Sequence, residues 1–106
     1  MTKKPEIVKE EDLIKRKDGL YYKKYARVPF TGAAKDFYEN GQLKIRGNFK
    51  DGKEDGLGER FYENGQLERR KNWKDGKEDG LWEWFDDNGQ LTKTETWKNG
   101  ELAEEN

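Results

Sequence analysis

No histidine, cysteine or serine occurs in the 106 residues. That removes imidazole acid–base catalysis, thiol and serine nucleophiles, zinc sites built on Cys or His, and disulfides. Carboxylates, Lys, Tyr and five Thr remain for chemistry. With 23 acidic residues, carboxylate pairs at hydrolase spacing are unavoidable. A single sheet offers such pairs no concave pocket, so the chain is expected not to be an enzyme. The acidic turns Asp51-Gly-Lys-Glu-Asp-Gly56 and Asp86-Asp-Asn-Gly89 have the composition of calcium loops. A twelve-residue calcium loop starting at Asp51 needs Glu at its last place, where Tyr62 stands; starting at Asp86 puts Trp97 there. Ordinary turn chemistry accounts for both, and no metal or cofactor is expected.

The remaining candidates are residues that bind. Trp82 and Trp84 share a face if their segment is a strand, and Trp, Tyr and Arg dominate binding hot spots. Arg46, Arg60, Arg69 and Arg70 suit phosphate or an acidic partner, but Glu59, Glu68 and Glu83 stand among them and favour cross-strand ion pairs. The competing reading of the tryptophans is that they cover the sheet. Residues 1–38 carry +10 and −6, and residues 39–106 carry +12 and −17. That division leaves no continuous basic stripe, so no nucleic acid is expected as a partner. The expected partner-binding set is Arg60, Tyr62, Arg70, Trp82 and Trp84, all even-numbered and so on the side opposite the apolar face.

The elements that must carry these residues repeat. Glu39-Asn-Gly-Gln-Leu43 recurs at 63–67 and, with Asp first, at 87–91. Lys50-Asp-Gly-Lys-Glu-Asp-Gly-Leu57 recurs unchanged at 74–81. Each offset is 24 residues (63 − 39, 74 − 50), and Tyr25, Phe49, Trp73 and Trp97 align at it. The copies run over about 15–38, 39–62, 63–86 and 87–106, with atypical first and last members as an array requires. Each copy predicts two strands. Asn-Gly at 40–41, 64–65 and 88–89 signals a hairpin turn with both residues at positive φ. Asp-Gly-Lys-Glu-Asp-Gly then predicts a longer polar connection. Leu43, Ile45, Phe49, Leu57, Phe61, Leu67, Trp73, Leu81, Phe85, Leu91 and Trp97, all odd-numbered, are expected on one apolar face, unless a bulge at a glycine inverts the alternation.

The composition fits this arrangement. Hydrophobic residues are 30% and charged residues 42%, with a net charge of −1. Leu, Ile, Val and Phe total only 18, but fourteen aromatics and the small net charge argue against disorder. The fold class expected is all-β: an elongated antiparallel meander of β-hairpins in a single twisted sheet of about eight strands. Residues 1–12 are expected as a flexible lead or a short edge, with the repeat domain over 13–106. Leu13-Ile14 is expected to pair, through Asp18-Gly19, with Leu20–Tyr25. Met1-Thr-Lys-Lys-Pro5 lacks the apolar core of a signal peptide, and no apolar run approaches a membrane span. The sequence does not fix the compartment: cytoplasmic is expected as the sequence stands, and exported or envelope if a leader was trimmed.

The repeat unit resembles the MORN family in its bacterial variant form. The residues that carry the likeness are Tyr38-Glu-Asn-Gly-Gln-Leu43, Phe49-Lys-Asp-Gly52, Gly56-Leu57, Phe61-Tyr-Glu-Asn-Gly-Gln-Leu67, Trp73-Lys-Asp-Gly76 and Gly80-Leu-Trp82, with Asp18-Gly-Leu-Tyr-Tyr22 and Pro29-Phe-Thr-Gly32 before them. The resemblance covers about residues 13–102 and implies a chain of β-hairpins that acts as a scaffold for protein contact. Bacterial relatives of this kind are often classed as antitoxins or immunity-like proteins, which implies a toxin as partner and occlusion as mechanism. Some MORN proteins are linked to membrane lipids, so a membrane- or envelope-associated scaffold that self-associates through its sheet edges is the alternative. A sheet of stacked Trp rings also suits a glycan.

Overall fold

The short runs between turns, half apolar and half charged, fold almost wholly as β-structure. The computed structural model describes residues 6–106. In chain order the strands are β1 (Glu6–Lys9), β2 (Leu13–Lys15), β3 (Tyr21–Lys23), β4 (Gly32–Phe37), β5 (Leu43–Lys50), β6 (Lys53–Glu54), β7 (Gly56–Phe61), β8 (Leu67–Lys74), β9 (Lys77–Glu78), β10 (Gly80–Phe85), β11 (Leu91–Lys98) and β12 (Glu101–Glu105). A 3₁₀ turn at Glu10–Asp12 joins the first two. One ten-stranded sheet runs β1-β4-β5-β7-β8-β10-β11-β12, with β6 and β9 paired to the ends of β5 and β8. From β4 onward every neighbour is antiparallel, so the expected all-β meander is the observed fold. Its Cα radius of gyration is 14.9 Å, against about 13 Å for a compact chain of this length.

The N-terminal end departs from a single meander. Of the lead or edge expected over residues 1–12, residues 1–5 lie outside the described residues. Glu6–Lys9 forms an edge strand, running parallel to β4 with Ile7 opposite Ala33. Gly32 lets it approach: a Cβ there would lie 2.2 Å from the Glu6 carbonyl oxygen. β2 and β3 form a separate two-stranded sheet, with Ile14 opposite Tyr22 across the Asp18-Gly19 turn. This hairpin packs Tyr21 against Phe49 at 5.1 Å between ring centroids, and Phe30 lies 5.9 Å from the same ring. The buried apolar side chains are Tyr22, Phe30, Ala34 and Trp82 among the described residues. So thin a core matches an apolar content of 30%.

Two turn types alternate, and both differ from expectation. At Asn40-Gly41, Asn64-Gly65 and Asn88-Gly89 only the glycine has positive φ (86°, 89° and 85°). The Gly41 N–H donates to the Tyr38 carbonyl and the Tyr38 N–H to the Gln42 carbonyl, each at 2.9 Å. This is a three-residue loop ending in a left-handed glycine. Asn40 serves through its side chain instead, accepting from the Gln42 N–H at 2.9 Å. The two-residue turns with both φ positive are Asp51-Gly52, Asp75-Gly76 and Asn99-Gly100. They close β5 onto β6, β8 onto β9 and β11 onto β12, and at the first two a longer connection was expected.

These loop lengths decide the faces. Residues directly opposed on antiparallel strands share a face. A two-residue turn sets Lys50 against Lys53, and so places odd numbers opposite even ones. The three-residue loop would restore parity, but a one-residue bulge follows each one, between Asp36/Phe37, Arg60/Phe61 and Trp84/Phe85. Odd residues of β5, β8 and β11 therefore face the same way as even residues of β4, β7 and β10. The all-odd apolar face is thereby corrected. Phe49, Trp73 and Trp97 share their face with Trp82 and Trp84, while Leu57 and Leu81 look the other way, beside Asn72 and Thr96.

Candidate functional site

Strand β10, Gly-Leu-Trp-Glu-Trp-Phe, is β-prone and alternates, and it places two indoles on the aromatic face. Trp82 is 6% exposed. Its ring lies between Trp73 and Trp97, 5.2 Å from each centroid. Its indole N–H donates to the Asn72 carbonyl at 2.8 Å. Trp84 lies 6.1 Å further along and is only half-buried. The Lys93 ammonium sits 4.6 Å above the Trp84 ring, and Lys71 lies 5.9 Å from it and 4.4 Å from Trp82.

The structure divides the five residues expected to form the binding face. Arg60, Trp82 and Trp84 share the aromatic side. Arg70 is on the reverse, because it stands opposite Glu59 and Glu83. Its Nε and Nη2 donate to Glu83 Oε1 at 3.1 and 2.9 Å. Tyr62 belongs to neither set. It lies beyond the bulge, and its hydroxyl donates to the Phe85 carbonyl at 2.7 Å, as Tyr38 does to Phe61 at 2.6 Å. The cross-strand ion pairs anticipated for the arginines are present: Arg46 with Glu59, Arg60 with Glu68 at 3.1 Å, Arg70 with Glu83 at 2.9 Å. Arg69 makes no ion pair among the described residues, and it borders the aromatic face beside Arg60.

One turn of the array before Trp82 the same face opens into a pocket of about 170 Å³. Phe49 and Trp73 wall it, Gly47 and Gly58 line its base, and Glu10, Glu54, Arg60, Arg69 and Lys71 surround it. Burial raises the Glu54 carboxyl above its usual range, opposed by the charges of Lys15 and Lys71. Burial also raises Glu10, aided by the charge of Asp36 and a hydrogen bond with it. Burial and the neighbouring Arg69 charge lower Lys71. Glu95, 7% exposed, behaves differently. Burial alone would raise it, but hydrogen bonds from Lys93 and Trp97, with the Lys93 charge, bring it below the ordinary value. Lys93 Nζ lies 3.1 Å and the Trp97 indole nitrogen 3.0 Å from its carboxylate. The arrangement offers an aromatic wall, charged hydrogen-bonding groups at its rim, and a guanidinium, that of Arg69, with no ion partner among the described residues.

The sequence reading singled out neither this pocket nor Gly58. The signal was present in the 24-residue alignment, which sets Ala34, Gly58 and Trp82 at one position of successive copies.

A family model described as "MORN repeat variant" matches residues 30–51, 54–75 and 78–105. No curated protein and no solved structure matches the chain.

Proposed function

Because the chain belongs to the MORN repeat variant family, a family of binding repeats, we propose that it is a non-enzymatic module that docks another protein on its aromatic face. The contact centres on Trp84 and Arg60, with Trp82 beneath them as the rigid support. One observation carries the reading. Trp84 is held half-exposed between two lysines beside a buried indole, on the face where Arg69 is left without an ion partner among the described residues. Rigid aromatic and arginine anchors with little conformational freedom to lose are what binding hot spots require. Arg70 and Tyr62 contribute by fixing the sheet, through Glu83 and the Phe85 carbonyl.

The most concrete form of this function is an antitoxin or immunity role, in which the face covers a toxin's working surface. It rests on the resemblance to bacterial MORN-variant proteins, and its mechanism is occlusion without chemistry. The test is capture of partners from the host lysate by the wild-type chain and by a Trp84→Ala/Arg60→Ala double variant whose circular dichroism matches wild type. One protein retained by the wild type and lost by the variant is the expected result, and its activity alone and in complex then tests neutralisation. Equal retention by both would reject this face. Sedimentation with anionic vesicles, with no protein retained, would replace the reading with the membrane-associated scaffold.

A further inference from the structure

The two fully repeated copies differ in how the slots of their aromatic stacks are filled. Phe49, Trp73 and Trp97 recur at the 24-residue period, and a slot lies between each successive pair. The slot between Trp73 and Trp97 is filled by Trp82. The slot between Phe49 and Trp73 has Gly58 at the equivalent position, and it is the open pocket of about 170 Å³. Glycine is not required there by the backbone: its φ is outside the left-handed region, and a Cβ would meet Trp73 at an ordinary 3.7 Å. Glycine inside a strand costs about 0.5–1 kcal/mol relative to alanine and commonly marks a place where another group approaches. The carbonyl that receives the Trp82 N–H, on Asn72, has its counterpart on Asn48, which lines the open slot. Both carbonyls accept a backbone N–H from the following turn, Asp55 at 2.9 Å and Asp79 at 3.1 Å, so the two slots are framed alike.

We propose that the Phe49–Trp73 slot receives a tryptophan side chain of the partner protein, with an acidic residue beside it. The proposal rests on the docking function argued above and names the group that is docked. The filled slot supplies the template: indole between aromatic walls, its N–H on the Asn48 carbonyl. The neighbouring charge supplies the flank. Arg60 is engaged with Glu68 and Lys71 lies over the Trp82 ring, which leaves Arg69 as the rim guanidinium without an ion partner among the described residues. A carboxylate next to the incoming ring meets it. A second copy of this chain does not supply the indole. Trp82 is buried, Trp73 and Trp97 enclose it, and Trp84 is held between Lys71 and Lys93.

The test is amide NMR of the full chain titrated with acetyl-Glu-Trp-Glu-amide, its Leu counterpart, and acetyl-Gly-Trp-Gly-amide. Saturable shifts are expected at Gly47, Asn48 and Gly58, with the Leu peptide about tenfold weaker or more, since an apolar swap loses both the ring contacts and the N–H bond to the Asn48 carbonyl. Gly58→Trp supplies the chain's own indole and abolishes the shifts; Gly58→Leu does the same if the larger ring does not fold. Arg69→Gln weakens the acidic Trp peptide and leaves the neutral one unchanged. Equal binding of the Leu peptide, shifts elsewhere, or binding that persists in a folded Gly58 variant overturns the slot. So do slot shifts that appear on concentrating the protein alone, which would make a second copy the occupant. Partner capture lost in Trp84→Ala/Arg60→Ala but unchanged in Gly58→Trp rejects the slot and keeps the docking module. Peptide binding at the slot with capture indifferent to Trp84 and Arg60 does the reverse.

Discussion

Trp82 and Trp84 are two residues apart and of one type, yet they do different work. Trp82 is 6% exposed and packed between two other indoles, so Trp82→Ala removes a ring that its neighbours cannot replace. A loss of about 3–5 kcal/mol is expected from urea unfolding, with a smaller loss for the half-exposed Trp84→Ala. The carboxylates divide similarly. Glu95 titrates below its ordinary 4.5 in the folded chain, while burial lifts Glu54 above it. A depressed carboxyl adds stability above its unfolded pKa and loses it as pH falls through the folded value; a raised one costs stability at neutral pH and is relieved in acid. Glu95→Gln should therefore destabilise the chain at neutral pH, with the gap closing as pH falls below about 4.5. Glu54→Gln should stabilise it at neutral pH, and that gain should fade in acid. Urea midpoints across that range check both signs, and two gaps of the same sign would contradict the assignment.

At the scale of the element, the two-residue turns set the register, and their glycines are not equivalent. Gly52 and Gly76 have φ of 83° and 80°, so Ala at either carries the left-handed cost of about 1–2 kcal/mol. Around Gly76 the nearest atoms belong to Lys53 at 3.6 Å, which is ordinary contact. At Gly52 a Cβ would lie 2.7 Å from Pro29 and 2.8 Å from Leu20, where the N-terminal hairpin docks. Gly52→Ala should lower the thermal midpoint clearly more than Gly76→Ala, although the two turns read alike in sequence. The same contrast explains how much was legible. The 24-residue period, the strand segments and the Asp18-Gly19 hairpin follow from residues along the chain, and the structure has them. Facing does not follow in that way. It depends on the sum of loop length and bulge, and the extra residues at Lys44, Glu68 and Thr92 lie in ordinary strand sequence. One uncounted residue moved Trp82 into the stack and turned Arg70 to the other side. Arg60 and Trp84 kept a common face because β7 and β10 have the same length and the same place in the repeat.

At the scale of the molecule, the chain is an array whose units hold one another at both margins of the sheet. At the turn margin, the Gly76 N–H donates to the Glu54 carbonyl at 2.8 Å and the Gly100 N–H to Glu78 at 2.9 Å. The Asp55 and Asp79 carboxylates accept from Asp75 and Asn99 at 3.1 and 3.2 Å. At the opposite margin, Asn40 and Asn64 each reach a carbonyl of the next copy at 3.0 Å. Every bond joins nearest neighbours, so stability should behave as a sum over units and their interfaces. Lys50–Leu57 and Lys74–Leu81 are identical, so removing residues 51–74 joins Lys50 to Asp75 without creating a new sequence. The shortened chain, 106 less 24 or 82 residues, should fold with dispersed amide spectra and unfold at a lower urea midpoint. Removing residues 51–62 instead deletes β6 and β7 and leaves β5 and β8, which run parallel in the sheet, with no crossover to join them. That variant should not fold. The longer deletion also bears on the slot, because Trp82 then stands nine residues after Phe49, where Gly58 had been. The chain's own indole would occupy the position assigned to the partner's, so the deletion variant should fold and yet give no slot shifts with the tryptophan peptide. A folded variant that still binds the peptide at Asn48 would place the recognition outside the slot.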